Sequence, residues 1–119
     1  MKECCICGKT GEKHHIVFKN QGGIDIPLNY IYLCAEHHRG EFGPHKNRVI
    51  DIAYKTKMQN ELMRLLSKDY YCMDELIKLL KINPFQAKII QKDLNLYKLG
   101  FKKLDIIKRI MGRKLYGIT

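Results

Sequence analysis

Apolar and polar positions follow two different rhythms along this chain. Between Cys4 and His45 the apolar residues come in short bursts: His15-Ile16-Val17-Phe18, then a reversal at Asn20-Gln21-Gly22-Gly23, then Ile31-Tyr32-Leu33. Such β-branched and aromatic runs around a Gly-rich loop predict two short strands, with His15 held opposite Asn29. From about Lys46 the spacing becomes helical. Ile50, Ala53, Met58, Leu62, Leu65 and Leu66 recur on one face, predicting a helix from about Arg48 to Leu66, with Lys55, Lys57, Gln59, Asn60 and Arg64 toward solvent.

Ser67 to Tyr71 breaks that rhythm. A short helix over Asp74 to Lys81 follows, with Leu76, Ile77, Leu79 and Leu80 apolar and Asp74 as N-cap. Asn83-Pro84 starts the next helix, Phe85 to Leu96, since Asn caps well and Pro fits the first turn. Ala87, Ile90 and Leu94 face inward, while Gln86, Lys88, Gln91 and Lys92 face out. The pair resembles a helix-turn-helix, whose second helix would present Gln86, Lys88, Gln91 and Lys92 to DNA. Any small antiparallel helix pair gives a similar pattern, so a plain packing module is the alternative. After Gly100, Leu104, Ile107, Ile110 and Met111 outline a last basic helix. The fold class expected is α+β, a small zinc-stapled unit at 1–66 followed by a mainly helical region at 67–119.

Charge sharpens this division. Residues 1–45 carry five basic and five acidic side chains, whereas residues 46–119 carry 17 basic and 7 acidic ones, so the whole net charge of +10 lies there. A basic surface attracts polyanions by counterion release, and nucleic acid is the natural partner; a Lys-rich surface serving solubility alone is the alternative. No apolar run is long enough for a signal peptide or membrane span, and five cysteines too closely placed for a disulfide framework suit a reducing compartment. A soluble, cytoplasmic protein with no membrane partner and no small-molecule substrate is expected.

The candidate chemistry is concentrated near the N-terminus. All five histidines and four of the five cysteines lie between Cys4 and His45. Cys4-x-x-Cys7, on a turn ending in Gly8, and Cys34-x-x-His37 are two short clips that together supply the four ligands of a closed structural zinc site. Cys5 could replace Cys4, but the spacing from Cys4 is better. Cys72 has no partner and is read as core. His14, His15, Asn29, His38 and His45 remain, a sulfur-free set suited to a second, more open metal position.

The order Cys-x-x-Cys, His-His-Ile, Gly-Gly, Asn, Leu-Cys-x-x-His-His resembles the HNH endonucleases, the ββα-metal or His-Me finger family, in the zinc-knuckle form common in phage proteins. The resemblance covers about the first third of the chain. It implies that His14 and His38 bind a catalytic divalent ion, Mg²⁺ or Mn²⁺ with Zn²⁺ or Ni²⁺ also accepted. It further implies that His15 is the general base, that Asn29 positions the base or completes the metal site, and that a phage or mobile element encodes the chain. The fourth zinc ligand, often Cys in the family, is His37 here, so His37 and His38 could exchange roles. His45 lies beyond a longer Gly-rich loop and would be a further metal or phosphate ligand.

The implied activity is phosphodiester hydrolysis of DNA, by a monomer or a homodimer. Two other classes compete with it: a non-catalytic zinc-knuckle and helix-turn-helix DNA-binding protein, and a zinc-stapled protein-interaction module. The surplus of histidines separates them, because a purely architectural zinc needs only four ligands.

Overall fold

The computed structural model describes residues 2–117. It is an α+β protein in which a two-stranded ribbon, one long helix and a second group of helices with a small sheet share one core. The ribbon pairs β1 (Glu12–His15) antiparallel with β2 (Tyr30–Leu33), setting His14 across from Ile31 and His15 across from Tyr30. Strand β1 therefore ends where the sequence pattern has it begin. The cause is Asn29, which is fully buried: its Oδ1 accepts from the Val17 N–H at 2.7 Å, and its Nδ2 donates to the carbonyls of Val17 and Ile24 at 3.0 and 2.8 Å. These bonds replace a ladder beyond Ile16, so Ile16 and Val17 turn into the core without strand pairing. The chain between the strands closes tightly, and Gly23 is needed there because a Cβ would sit 1.9 Å from the Val17 carbonyl oxygen.

After β2 the chain forms a five-residue helix, α1 (Ala35–Arg39), which carries His37 and His38, where the sequence pattern suggests only a turn. Helix α2 (Arg48–Leu65) matches the expected span, and the Asn47 side chain accepts from the Ile50 N–H at 3.2 Å to cap it. Its buried stripe differs from the expected one. Asp51, Lys55 and Gln59 are buried along with Met58 and Leu62, while Ala53 is exposed. Two of their contacts hold them in place: Lys55 Nζ bonds Asp51 Oδ2 at 2.7 Å, and Gln59 exchanges hydrogen bonds with the backbone of Tyr116, while Asp51 Oδ1 is buried without a partner among the described residues. The first half of α2 thus packs behind the ribbon and the C-terminal segment, and only its second half enters the apolar core.

The remaining chain gives β3 (Tyr70–Tyr71), α3 (Met73–Leu80), α4 (Pro84–Gln91), β4 (Leu96–Tyr97), β5 (Gly100–Lys102) and α5 (Lys103–Ile110). Helix α3 begins one residue before the expected Asp74, and Glu75 rather than Asp74 serves its start by accepting from the Cys72 N–H at 3.0 Å. Cys72 itself is exposed, not core. Helix α4 begins as the Asn83-Pro84 signal indicates, with Asn83 and Gln86 capping each other reciprocally, but it stops at Gln91. The residues beyond it supply β4, because β5 pairs with both β3 and β4 to make a three-stranded sheet in the order β3-β5-β4. In α5, Ile106 takes the buried place expected of Leu104, which is half exposed.

One hydrophobic cluster runs through the whole molecule. Ile16, Val17, Ile24 and Ile26 of the ribbon unit pack with Met58, Leu62 and Leu66 of α2 and with Leu76, Leu80, Ile90, Ile106, Ile107 and Ile110 beyond it. A smaller cluster of Cys4, Leu33 and Cys34 lies under the first cysteine clip. Polar contacts tie the parts further: Arg109 donates to the Gly22 carbonyl at 2.8 Å, and Gln86 Nε2 donates to the Asp25 carbonyl.

Candidate metal centres

The two cysteine clips meet as their spacing requires. Cys4 and Cys7 come from the turn before β1, held by the Cys4 N–H to Lys9 carbonyl bond at 2.6 Å and the Gly8 N–H to Cys4 carbonyl bond at 2.9 Å. Cys34 and His37 come from the start of α1. Cys34 Sγ lies 3.7 Å from Cys7 Sγ and 3.2 Å from His37 Nδ1, and Cys4 Sγ lies 3.6 Å from the same nitrogen. A tetrahedron with metal–sulfur bonds of ~2.3 Å has sulfur–sulfur edges of about 3.8 Å, so these four atoms outline such a site. Burial alone would raise the Cys4 thiol, but the surrounding backbone N–H groups of Cys34, Cys7 and Ile6 and the His37 ring outweigh it and lower its pKa to about 6. The thiolate, the form that binds metal, is thereby favoured. Cys5 stands outside the group and is exposed. Cys4, Cys7, Cys34 and His37 form a cluster able to hold a metal ion, and zinc fits its donor set.

The second cluster is made of His14, His38 and His45, whose candidate ligand nitrogens all lie within 4.8 Å of one another. His14 projects from β1 and His38 from α1, and both are almost fully buried; His45 reaches in from the loop before α2. The Nε2 atoms of His38 and His45 are 2.9 Å apart. His38 Nδ1 lies 2.8 Å from Glu12 Oε1, which fixes its proton on Nδ1 and turns the Nε2 lone pair into the cluster. His14 Nε2 is buried without a hydrogen-bond partner among the described residues. Burial first, then the neighbouring His38 and His45 rings, lower the His14 pKa to about 3, keeping it a neutral donor. Burial and His38 also lower that of His45. An orphaned nitrogen and a neutral ring converging with two more imidazoles fit a divalent ion.

Phe18 packs beside this group, its ring stacked on His45 at 5.2 Å between centroids and edge-on to His14 at 5.6 Å. The Lys55 ammonium lies 4.7 Å from the centroid of the same Phe18 ring. In front, an open cavity of about 230 Å³ is lined by His14, His15, His38 and His45 and rimmed by Lys13, Lys19 and Arg39. A larger cleft of about 400 Å³ between the exit of α4 and α5 contains Asp93, Lys108, Arg109 and Arg113 but no metal-capable cluster. Of the two, the smaller is the one lined by a metal-capable cluster.

His15 lines this cavity without joining the metal group. Its Nε2 lies 3.2 Å from Asp25 Oδ1. Asn29 belongs to neither metal-capable cluster and clamps the backbone at Val17, two residues beyond His15, rather than completing the metal site. His37 groups with the cysteines, whereas His38 groups with His14 and His45. Of the residues expected to face DNA, Lys88 and Gln91 are exposed on α4 and Lys92 is exposed at its C-cap. Gln86 is turned toward the ribbon unit, with Oε1 accepting from the Asn83 N–H and Nε2 donating to the Asp25 carbonyl. Sequence reasoning missed Glu12, Phe18, Asp25 and Lys55. Of these, Lys55 alone had a sequence signal, its i, i+4 spacing from Asp51, and that spacing points to an ion pair rather than to burial.

Comparison with known protein families, with characterised proteins and with solved structures finds no match.

Proposed function

We propose that this protein is a metal-dependent DNA endonuclease of the HNH type, with Cys4, Cys7, Cys34 and His37 as its structural zinc site and His14, His38 and His45 as its catalytic metal site. The convergence of three imidazoles at an open, basic-rimmed cavity next to His15 carries this reading. A divalent ion held there would act as Lewis acid toward a phosphate oxygen and the leaving 3′ oxygen. His15 takes a proton from the attacking water; the water oxygen bonds to phosphorus, the P–O3′ bond breaks, and the 3′ oxygen leaves with that electron pair and is protonated by solvent. Lys13, Lys19 and Arg39 neutralise the phosphates beside the scissile bond.

The donor set bears on the ion. Three imidazoles and no carboxylate suit Mn²⁺, Zn²⁺ or Ni²⁺ better than Mg²⁺, which prefers oxygen ligands. Mn²⁺ is therefore expected to support cleavage at lower concentration than Mg²⁺. The order of α3, α4 and the β4–β5 hairpin favours α4 as the element presented to DNA, through Lys88, Gln91 and Lys92. His15→Ala is expected to abolish nicking of supercoiled plasmid while zinc content, circular dichroism and DNA affinity persist. Unchanged nicking by the purified variant would remove His15 from the role of base.

A non-catalytic zinc-knuckle DNA-binding protein is the second reading, favoured by the same basic helices. One tight zinc per chain, with no weaker second site in a metal titration, would select it.

A further inference from the structure

We propose that Asp25 is a positioning residue for His15, and that Gln86 of α4 holds the Asp25 backbone in register. The proposal rests on the nuclease reading above and extends it to a residue outside the histidine clusters. A neutral imidazole has one N–H and one lone pair. With Nε2 3.2 Å from Asp25 Oδ1, the proton belongs on Nε2, where the carboxylate accepts it, and the lone pair is left on Nδ1 to receive the proton of water. Asp25 suits the role because it remains ionised: the His15 contact lowers its pKa against a small opposing effect of burial, and Lys13, 3.4 Å away, lowers it further.

Alone, this contact would be weak. The Asp25 side chain is 57% exposed, and a pair in water gains little from its charge. The backbone supplies the order that exposure takes away. On one side of Asp25 the Ile24 carbonyl accepts from Asn29 Nδ2, and the Asp25 carbonyl itself accepts from Gln86 Nε2 across 61 positions of sequence. Gln86 is fixed in turn by its reciprocal cap with Asn83 at the start of α4. The helix proposed to meet DNA and the base proposed to meet water are thus linked through Gln86 and Asp25.

The test compares wild type, Asp25→Ala, Asp25→Asn and Gln86→Glu, each zinc-loaded, for single-turnover nicking at saturating Mn²⁺, DNA affinity, metal stoichiometry and the His15 tautomer in long-range ¹H–¹⁵N spectra. Asp25→Ala is expected to slow nicking about 10-fold or more, with both metal sites filled and DNA affinity retained, and to shift His15 from the Nε2–H form to a tautomer mixture. Asp25→Asn, whose amide oxygen still accepts from Nε2–H, recovers most of the rate. Gln86→Glu keeps the acceptor for Asn83 but sets an oxygen against the Asp25 carbonyl, and is expected to slow nicking by several fold. A wild-type rate and an unchanged tautomer in Asp25→Ala would overturn the proposal, as would Asp25→Asn being as slow as Asp25→Ala. A wild-type rate in Gln86→Glu would overturn the part assigned to α4. If wild type itself nicks nothing, the nuclease reading falls, while the tautomer spectra still decide whether Asp25 orients the ring.

Discussion

A buried imidazole resists protonation because the charged ring loses its hydration and faces other rings that can also carry charge. His14 meets both conditions, which brings its pKa to about 3. The sign of the resulting pH dependence follows. A His whose folded pKa is depressed contributes stability above its unfolded value near 6.5, and that contribution is lost as the pH falls from there toward 3. His14→Gln removes it. Comparison of urea midpoints for wild type and His14→Gln, both zinc-loaded, should show the wild type losing more stability between pH 7 and pH 5; equal losses would contradict burial of a neutral ring. Asn29 makes a second residue-level case. Asn29→Ala leaves the Val17 N–H and the Val17 and Ile24 carbonyls without partners, and should cost about 3 kcal/mol in thermal denaturation. The ligands of both clusters were legible in the sequence because metal coordination demands particular residue types at short spacings. Glu12 and Asp25 were not, since a lone carboxylate reveals an imidazole partner only when the chain has folded.

At the scale of elements, short segments are placed by their neighbours more than by their own sequence. Strand β1 ends at His15 despite the β-branched run beyond it, because the Asn29 side chain captures the backbone at Val17. Strands β3, β4 and β5 are two or three residues long, too short for a period of two to emerge, and they passed unread. The start of α4 was legible because Asn83-Pro84 carries its signal locally, whereas α3 starts at Cys72 and Glu75 rather than at the expected Asp74 cap, and Asn47 passed unread as the cap of α2. Replacing Asn83 by Ala should therefore cost about 1 kcal/mol, measured by chemical denaturation. Helix α2 shows the limit of periodicity. Its span was correct and its buried face only partly so: Met58, Leu62 and Leu66 are buried as expected, but Lys55 and Gln59 are buried too, through polar partners that a hydrophobic pattern cannot represent.

For the whole molecule, the continuous cluster from Ile16 to Ile110 joins the ribbon unit and the helices beyond α2 in one core. Thermal unfolding of the zinc-loaded protein should be a single transition, with fluorescence and circular dichroism coinciding. The charge belongs to this scale as well. If Lys88 and Lys92 contact DNA phosphates, Lys88→Ala and Lys92→Ala should each lower the slope of log affinity against log salt by about 1. No helix of the described residues is long and apolar enough to cross a membrane.

The most direct test of a catalytic ion held by His14, His38 and His45 is nicking of supercoiled plasmid by the zinc-loaded protein as Mn²⁺ is added, with His38→Ala in parallel. Nicked circles should accumulate with wild type as the second site fills and fail to form with His38→Ala, whose cysteine-bound zinc is untouched. Supercoiled plasmid left intact by wild type across Mn²⁺, Mg²⁺, Zn²⁺ and Ni²⁺ would contradict it.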